Sequence, residues 1–289
     1  MTSIVERRAR DPGAVLFVCD FSPPRGTDPK LLEPAAYLQA DFISVAYNPG
    51  KSIRLNSAIA AYWIRKNTDR EVLFSLATRD MNKIAIQSLL LGAGLMGLEN
   101  VVILKGDDFS KNELLALRSV NDFKPTELVA SVGSMNRGVD FKGVKLQAPT
   151  DFCVGATIDL GHDLEHETTL TRLKVKAGAQ FFLLQSLFDT DPLKVFLRGY
   201  WTRYGEELSL PIFCGIQVMA PDSLVFGPVP EWVTRDLSKG RSGENIAQEV
   251  LGRFVGEGFK SIYLVPSIMR GGRRDYEATQ RVIEEFRGS

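Results

Sequence analysis

Eight short apolar runs, each ending abruptly in polar or charged residues, constrain this chain more than any other feature. The clearest is Val101-Val102-Ile103-Leu104, followed at once by Lys105-Gly106-Asp107-Asp108. A continuous β-branched run is what a strand buried on both faces requires, and such strands belong to parallel sheets. The same reading predicts strands at 14–21, 41–47, 71–77, 101–104, 152–158, 180–188, 211–218 and 261–266. Between them the pattern predicts helices at 29–38, 56–66, 80–95, 112–119, 126–137, 164–177, 192–204, 230–237, 244–257 and 275–287. Alternation of this kind joins parallel strands by right-handed crossovers. Its near-regular period and lack of a domain break predict an α/β fold, a single-domain (β/α)8 TIM barrel over residues 1–289, with a doubly wound open sheet as the rival.

Composition narrows the function. The 35 basic and 35 acidic residues cancel, which removes the electrostatic case for a nucleic-acid partner. No stretch approaches the roughly 18 apolar residues of a membrane span, and residues 1–8 are not followed by the apolar core of a secretory leader. These features predict a soluble, cytoplasmic protein with no membrane partner. Cys19, Cys153 and Cys214 lie far apart, each in a predicted strand, and read as small buried hydrophobes rather than a disulfide framework or zinc site.

Two formal motifs have plainer readings. Gly92-Ala93-Gly94-Leu95-Met96-Gly97 has the G-x-G-x-x-G spacing, but it follows a helix and leads into a strand, so no helix N-terminus is left to meet a pyrophosphate. It reads as a helix-to-strand turn. His162-Asp163-Leu164-Glu165-His166 has the H-x-x-E-H spacing of a metallohydrolase. Its place at the start of a helix, with acids in the positive first turn, favours a helix start or a ligand-facing loop, and no metal site is assigned.

The strand ends themselves carry more. Asp20, the Thr78-Arg79-Asp80 triplet, Lys105-Gly106-Asp107, Thr157 and Asp159 close strands, while Gln185 and Gln217 lie within them. Polar groups inside apolar strands cost about 1–3 kcal/mol each unless paired. Several converging on one barrel mouth predict an active site at the carboxyl ends of the strands.

At these residues the chain resembles the methylenetetrahydrofolate reductase family, particularly the branch also found fused to homocysteine methyltransferase domains. The matching pieces run in order: Asp20-Phe21-Ser22-Pro23-Pro24-Arg25-Gly26-Thr27-Asp28, Val45-Ala46-Tyr47-Asn48-Pro49, Arg79-Asp80-Met81-Asn82, Gln87–Gly92, Lys105-Gly106-Asp107 and Met135–Asp140. Lys174–Ala179, Gln185-Ser186-Leu187-Phe188-Asp189 and Tyr263-Leu264-Val265-Pro266 complete the series. The resemblance implies a barrel holding FAD at its C-terminal face, reduced by NADH or NADPH, that converts 5,10-methylenetetrahydrofolate to 5-methyltetrahydrofolate. It implies catalytic roles for Asp20 as the acid that opens the methylene bridge, Asp107 as electrostatic partner of the iminium, and Gln185 as a hydrogen-bonding partner of the pterin. Cofactor contacts are implied at Ser44, Ala46, Ser75, Thr78, Arg79, Asp80, Lys105, Gly106, Thr157 and Lys174.

The chain departs from the family pattern in four places. Asp20 replaces a glutamate and reaches about 1.5 Å less far; Ser75 replaces a histidine, Thr157 a tyrosine and Leu173 an arginine. These leave a second reading open: a flavin-free tetrahydrofolate-binding barrel, either taking hydride directly from nicotinamide or acting as a non-reducing methyl-transfer subunit. A homo-oligomer, or a partner that delivers electrons or carries a methyltransferase, is also left open.

Overall fold

The structure is a computed structural model describing residues 2–161, 163–221, 223–225, 227–269 and 272–288. Its strands are β1 (Leu16–Phe21), β2 (Phe42–Val45), β3 (Glu71–Ala77), β4 (Asn100–Leu104), β5 (Cys153–Ile158), β6 (Phe181–Ser186), β7 (Ile212–Gln217) and β8 (Ser261–Val265). They form a closed parallel barrel in sequence order, with β8 returning to pair with β1. The eight-stranded barrel expected from the apolar runs is therefore observed, and the open sheet is excluded.

The helices are α1 (Ile4–Arg10), α2 (Pro34–Tyr37), α3 (Ser57–Asn67), α4 (Lys83–Leu95), α5 (Pro125–Asn136), α6 (Leu164–Ala177), α7 (Asp191–Tyr204), α8 (Glu231–Ser238), α9 (Gly243–Gly256) and α10 (Tyr276–Gly288). A two-stranded hairpin, β9 (Ser267–Ile268) with β10 (Arg274–Asp275), connects β8 to α10.

Three elements differ from the sequence expectation. The helix expected at 29–38 is broken into a 3-10 turn, Pro29–Leu32, and the short α2, because Pro34 cannot donate into a continuing helix. The helix expected at 112–119 is only the 3-10 turn Glu113–Leu115 within an otherwise irregular loop. Helix α1 was not anticipated. It opens with a capping box in which the Ser3 hydroxyl accepts from the Glu6 N–H, and its Ile4 is fully buried.

Strand alternation divides the apolar residues into two sets. Leu16, Val18, Phe42, Leu73, Val102, Phe181, Leu183 and Phe213 form an inner cluster with Ile4, filling the lower barrel from within. The intervening residues, such as Phe17, Cys19, Ile43, Phe74, Val101 and Leu264, join a larger cluster with the helices. Each such side chain stabilises the fold by about 1.5–3 kcal/mol. Gly155 is part of the inner fit, since a Cβ there would stand 2.4 Å from the Phe181 ring. At the lower end the Ile4 N–H donates to Asn100 Oδ1 at 2.9 Å, docking α1 across the barrel floor. With the floor closed and the lower interior filled, the upper interior is what remains for chemistry.

Candidate active site at the barrel mouth

Continuing the inner alternation upward brings polar residues to the top of most strands. Val18 is followed by Asp20, Phe42 by Ser44, Leu73 by Ser75, Gly155 by Thr157, Gly215 by Gln217, and Ser261 by Tyr263. The expected strand-end residues are therefore brought to one mouth. Asp20 and Ser44 are register partners on β1 and β2.

Asp20 is 5% exposed and both its oxygens are engaged. The Tyr263 hydroxyl donates to Oδ1 at 2.8 Å, and the Arg274 guanidinium lies 3.1 Å from Oδ2. Burial, reinforced by the Asp20 charge, holds the Tyr263 phenol well above its ordinary range, so it remains a donor. Arg274 also donates to the Pro266 carbonyl at 3.3 Å, which ties the hairpin to the top of β8. Next to this group, Tyr276 stacks on Phe21 at 5.0 Å between centroids and accepts from the Ser22 N–H at 3.0 Å. A general acid must present a proton to its substrate. Asp20 instead accepts from two donors, an arrangement suited to positioning.

Gln185 continues the inner alternation of Phe181 and Leu183 to the top of β6. Pairing of β6 with β7 shifts register between Leu183 and Ser186, and Gln185 is left exposed at the top of the strand. Gly215 permits a close approach of β6 and β7 here, because a Cβ there would sit 2.4 Å from the Leu184 carbonyl oxygen and 2.6 Å from the Gln185 carbonyl carbon. Gln217, beside it, donates to the Leu224 carbonyl at 3.0 Å.

At the end of β4 the chain turns through Gly106, whose φ is +83° and where a Cβ would stand 3.3 Å from the Cβ atoms of Ala77 and Arg79. Lys105 is exposed and paired with Asp108 at 2.7 Å. The Asp107 carboxylate is exposed and has no ion pair among the described residues, while its carbonyl accepts from Arg79 at 2.8 Å.

Arg79 is itself committed. Its Nε and Nη2 donate to the two oxygens of Asp80 at 2.6 and 2.8 Å, and its guanidinium lies 4.4 Å from the Phe109 ring centroid. The fork to Asp80 raises the Arg79 pKa; burial and Asp80 together push the Tyr47 phenol up to about 12. Thr78 is buried beside Arg79, and its hydroxyl has no partner among the described residues. Ser75 is buried, and Ala46 donates its N–H to the Phe21 carbonyl at 2.9 Å.

Lys174 lies on α6, in the helical layer rather than on a strand. Its ammonium is spent on Glu167 at 2.9 Å and on the Thr157 carbonyl at 2.7 Å. The structure thus brings Asp20, Ser44, Ser75, Thr78, Arg79, Lys105, Asp107, Thr157 and Gln185 to one face of the barrel. It holds Lys174 at the wall.

These positions test the expected flavin site. A dinucleotide pyrophosphate needs cations or N–H groups turned toward it. Of the three cations expected there, the Arg79 side chain is 5% exposed and forked to Asp80, and the Lys174 side chain is 10% exposed and paired with Glu167. Only Lys105 is exposed. The set as arranged does not fit a bound FAD.

Sequence reasoning missed Arg274. It follows the last barrel strand in a short hairpin, and only β8–β1 closure brings it to Asp20. For the other motifs, Gly92–Gly97 is the end of α4 and its turn into β4, with Gly97 at φ +73°. Asp163 caps α6, accepting from the N–H groups of Glu165 and His166. His162 lies outside the described residues, and no group of three or more His, Cys, Asp or Glu side chains is placed to hold a metal among those described. All three cysteines are free and buried; burial pushes the Cys153 and Cys214 thiols up to about 12.

Comparison with known proteins agrees with this architecture. A structure of an uncharacterized protein from Clostridium thermocellum, which binds two copies of 5-methyl-5,6,7,8-tetrahydrofolic acid, superposes with TM-score 0.71 at 12% identity, covering 99% of each chain. A 2,3-dimethylmalate lyase of the PEP mutase/isocitrate lyase superfamily superposes with TM-score 0.53 at 13% identity, covering 100% of this chain and 86% of the other. At these identities both show the barrel alone. No curated protein matches the sequence. The family model for methylenetetrahydrofolate reductase matches residues 5–224, the span holding β1 to β7 and most of the mouth, and the chain belongs to that family.

Proposed function

We propose that the mouth binds a reduced folate carrying a one-carbon unit, and that the chain reduces its methylene group with hydride taken directly from a nicotinamide, without a resident flavin. Family membership and the folate bound by the Clostridium thermocellum barrel support the ligand class. The observation that carries the flavin-free reading is the engagement of Arg79 by Asp80 and of Lys174 by Glu167.

In this reading Gln185, exposed at the top of β6, presents both amide donor and acceptor to the donor–acceptor edge of a pterin. Asp107 supplies a fixed carboxylate near the cationic iminium formed when the methylene bridge opens at N10. Asp20, held by Arg274 and Tyr263, fixes the opposite wall. The reaction balances as methylenetetrahydrofolate plus reduced nicotinamide plus a proton, giving 5-methyltetrahydrofolate and oxidised nicotinamide. The C–N10 bond breaks first, N10 taking a proton from solvent and leaving the iminium, and hydride then forms the new C–H bond at the methylene carbon.

The visible spectrum of the purified protein, followed by turnover with NADH or NADPH, tests this reading. A colourless protein that yields 5-methyltetrahydrofolate is expected. A yellow protein bleached by nicotinamide and reoxidised by methylenetetrahydrofolate would replace it with the family's flavin chemistry. A colourless protein that binds folate without reducing it would make the chain a non-reducing folate carrier.

A further inference from the structure

The broken crossover between β1 and β2 leaves a gap in the helical layer. Where a full helix would cover the barrel, the chain offers only Pro29–Leu32 and the four-residue α2. The gap, between this segment and the start of α10, is a cleft of about 1030 Å³. Its size is that of a site for a small molecule.

One wall is apolar, with Leu31 49% and Tyr37 72% exposed beside Pro34. An aromatic ring left this open is a stacking surface. The other wall carries Arg273, Arg274 and Arg281, the last paired with Glu244 at 2.7 Å. Arg54 stands at its edge, its Nη2 2.9 Å from where a Cβ on Gly272 would be. Arg25 and Arg274 act on Arg54 as like charges; with burial, the leading cause, they lower its pKa. Among the described residues Arg25, Arg54 and Arg273 have no ion pair, and Arg274 has only Asp20. The carboxylates on this wall are Asp275, which caps Ala278, and Glu277. The two guanidinium groups at the cleft left without an ion pair among the described residues, Arg54 and Arg273, suit a ligand with several phosphate or carboxylate oxygens.

We propose that this cleft binds a pyrophosphate, or a run of carboxylates longer than a single glutamate, on Arg54 and Arg273, with the adjoining part of the ligand against Tyr37. Two sources share that chemistry: the pyrophosphate of a nicotinamide dinucleotide and the γ-linked carboxylates of an extended folate. The first would make the cleft the hydride donor's site and rests on the function proposed above. Arg274 lines the cleft and pairs with Asp20, so an anion bound there would sit one residue from the mouth.

The test is calorimetric titration of the whole protein with NADH, NADPH, and 5-methyltetrahydrofolate as mono- and triglutamate. Each is repeated with an Arg54→Ala/Arg273→Ala double variant and with Tyr37→Ala, native folds being checked by thermal melting. At least one dinucleotide, or the triglutamate, is expected to bind wild type, weakening roughly tenfold or more for each arginine removed. Tyr37→Ala should weaken the same ligand by about threefold or more. Binding of the monoglutamate should be unchanged in the double variant. The proposal is overturned if every polyanionic ligand binds wild type and variants equally, or if none binds while the monoglutamate does. Failure of the monoglutamate alone would count against the folate reading, and the dinucleotide titrations would still decide the cleft.

Discussion

Replacing Arg274 by alanine should be among the costlier single changes at the mouth. In the native barrel the Arg274 and Asp20 side chains are 8% and 7% exposed, with the guanidinium 3.1 Å from Oδ2. Removing one member of a buried ion pair strands the other in low dielectric, at a cost of about 3–5 kcal/mol. Tyr263 still donates to Asp20 Oδ1 at 2.8 Å in the variant, which places the expected loss at the lower end, near 3 kcal/mol. The hydrogen bond to the Pro266 carbonyl, at 3.3 Å, is too long to add much. Urea unfolding of Arg274→Ala, Asp20→Asn and the double variant forms the appropriate cycle. The double variant should recover about 2 kcal/mol relative to the sum of the singles, because asparagine leaves no charge to strand. A loss below about 1 kcal/mol in Arg274→Ala, or strictly additive variants, would refute the claim that this pair is a buried, mutually dependent unit.

Other changes test other parts of the account. Gly215→Ala drives a Cβ into the Leu184–Gln185 backbone, so about 3 kcal/mol of stability and the reduced-folate affinity should fall together in unfolding and binding assays. Asp107→Asn should leave folate affinity within about threefold while slowing methylene reduction by about 100-fold, measured as 5-methyltetrahydrofolate formed. The buried thiols should resist a disulfide exchange reagent at neutral pH in the native state and react once the chain is unfolded. Their raised pKa also fixes the sign of an alkaline effect. The native state keeps its thiol protons where the unfolded chain loses them, so stability is intact below the ordinary value of 9 and declines as pH rises toward about 12. Urea midpoints across that range check it.

The barrel was legible because a buried parallel strand must be apolar on both faces, and its end is where polarity can resume. Val101–Leu104 and the seven runs like it carry that information within themselves. The convergence of Asp20, Ser75, Thr157 and Gln185 followed from the topology. Features set by register or by distant closure did not. The register shift beside Gln185 depends on how β6 pairs with β7, and nothing in either strand alone signals it. Arg274 meets Asp20 only because β8 closes on β1. Lys174 lies two helical turns from Glu167, a spacing visible on the helix, but the Thr157 carbonyl that completes its environment belongs to a strand. Helix α1 did carry a signal, the Ser3–Glu6 capping box, yet seven residues show too little periodicity to outweigh the bland reading of a terminus.

The central claim is that a flavin-free mouth recognises a reduced folate. Calorimetric titration of colourless, purified wild-type protein with 5-methyltetrahydrofolate monoglutamate tests it most directly. The account predicts saturable binding at the mouth with a dissociation constant on the order of micromolar, lost when Gln185 is replaced by alanine. The absence of measurable heat up to about 1 mM ligand, or binding indifferent to Gln185, would contradict it.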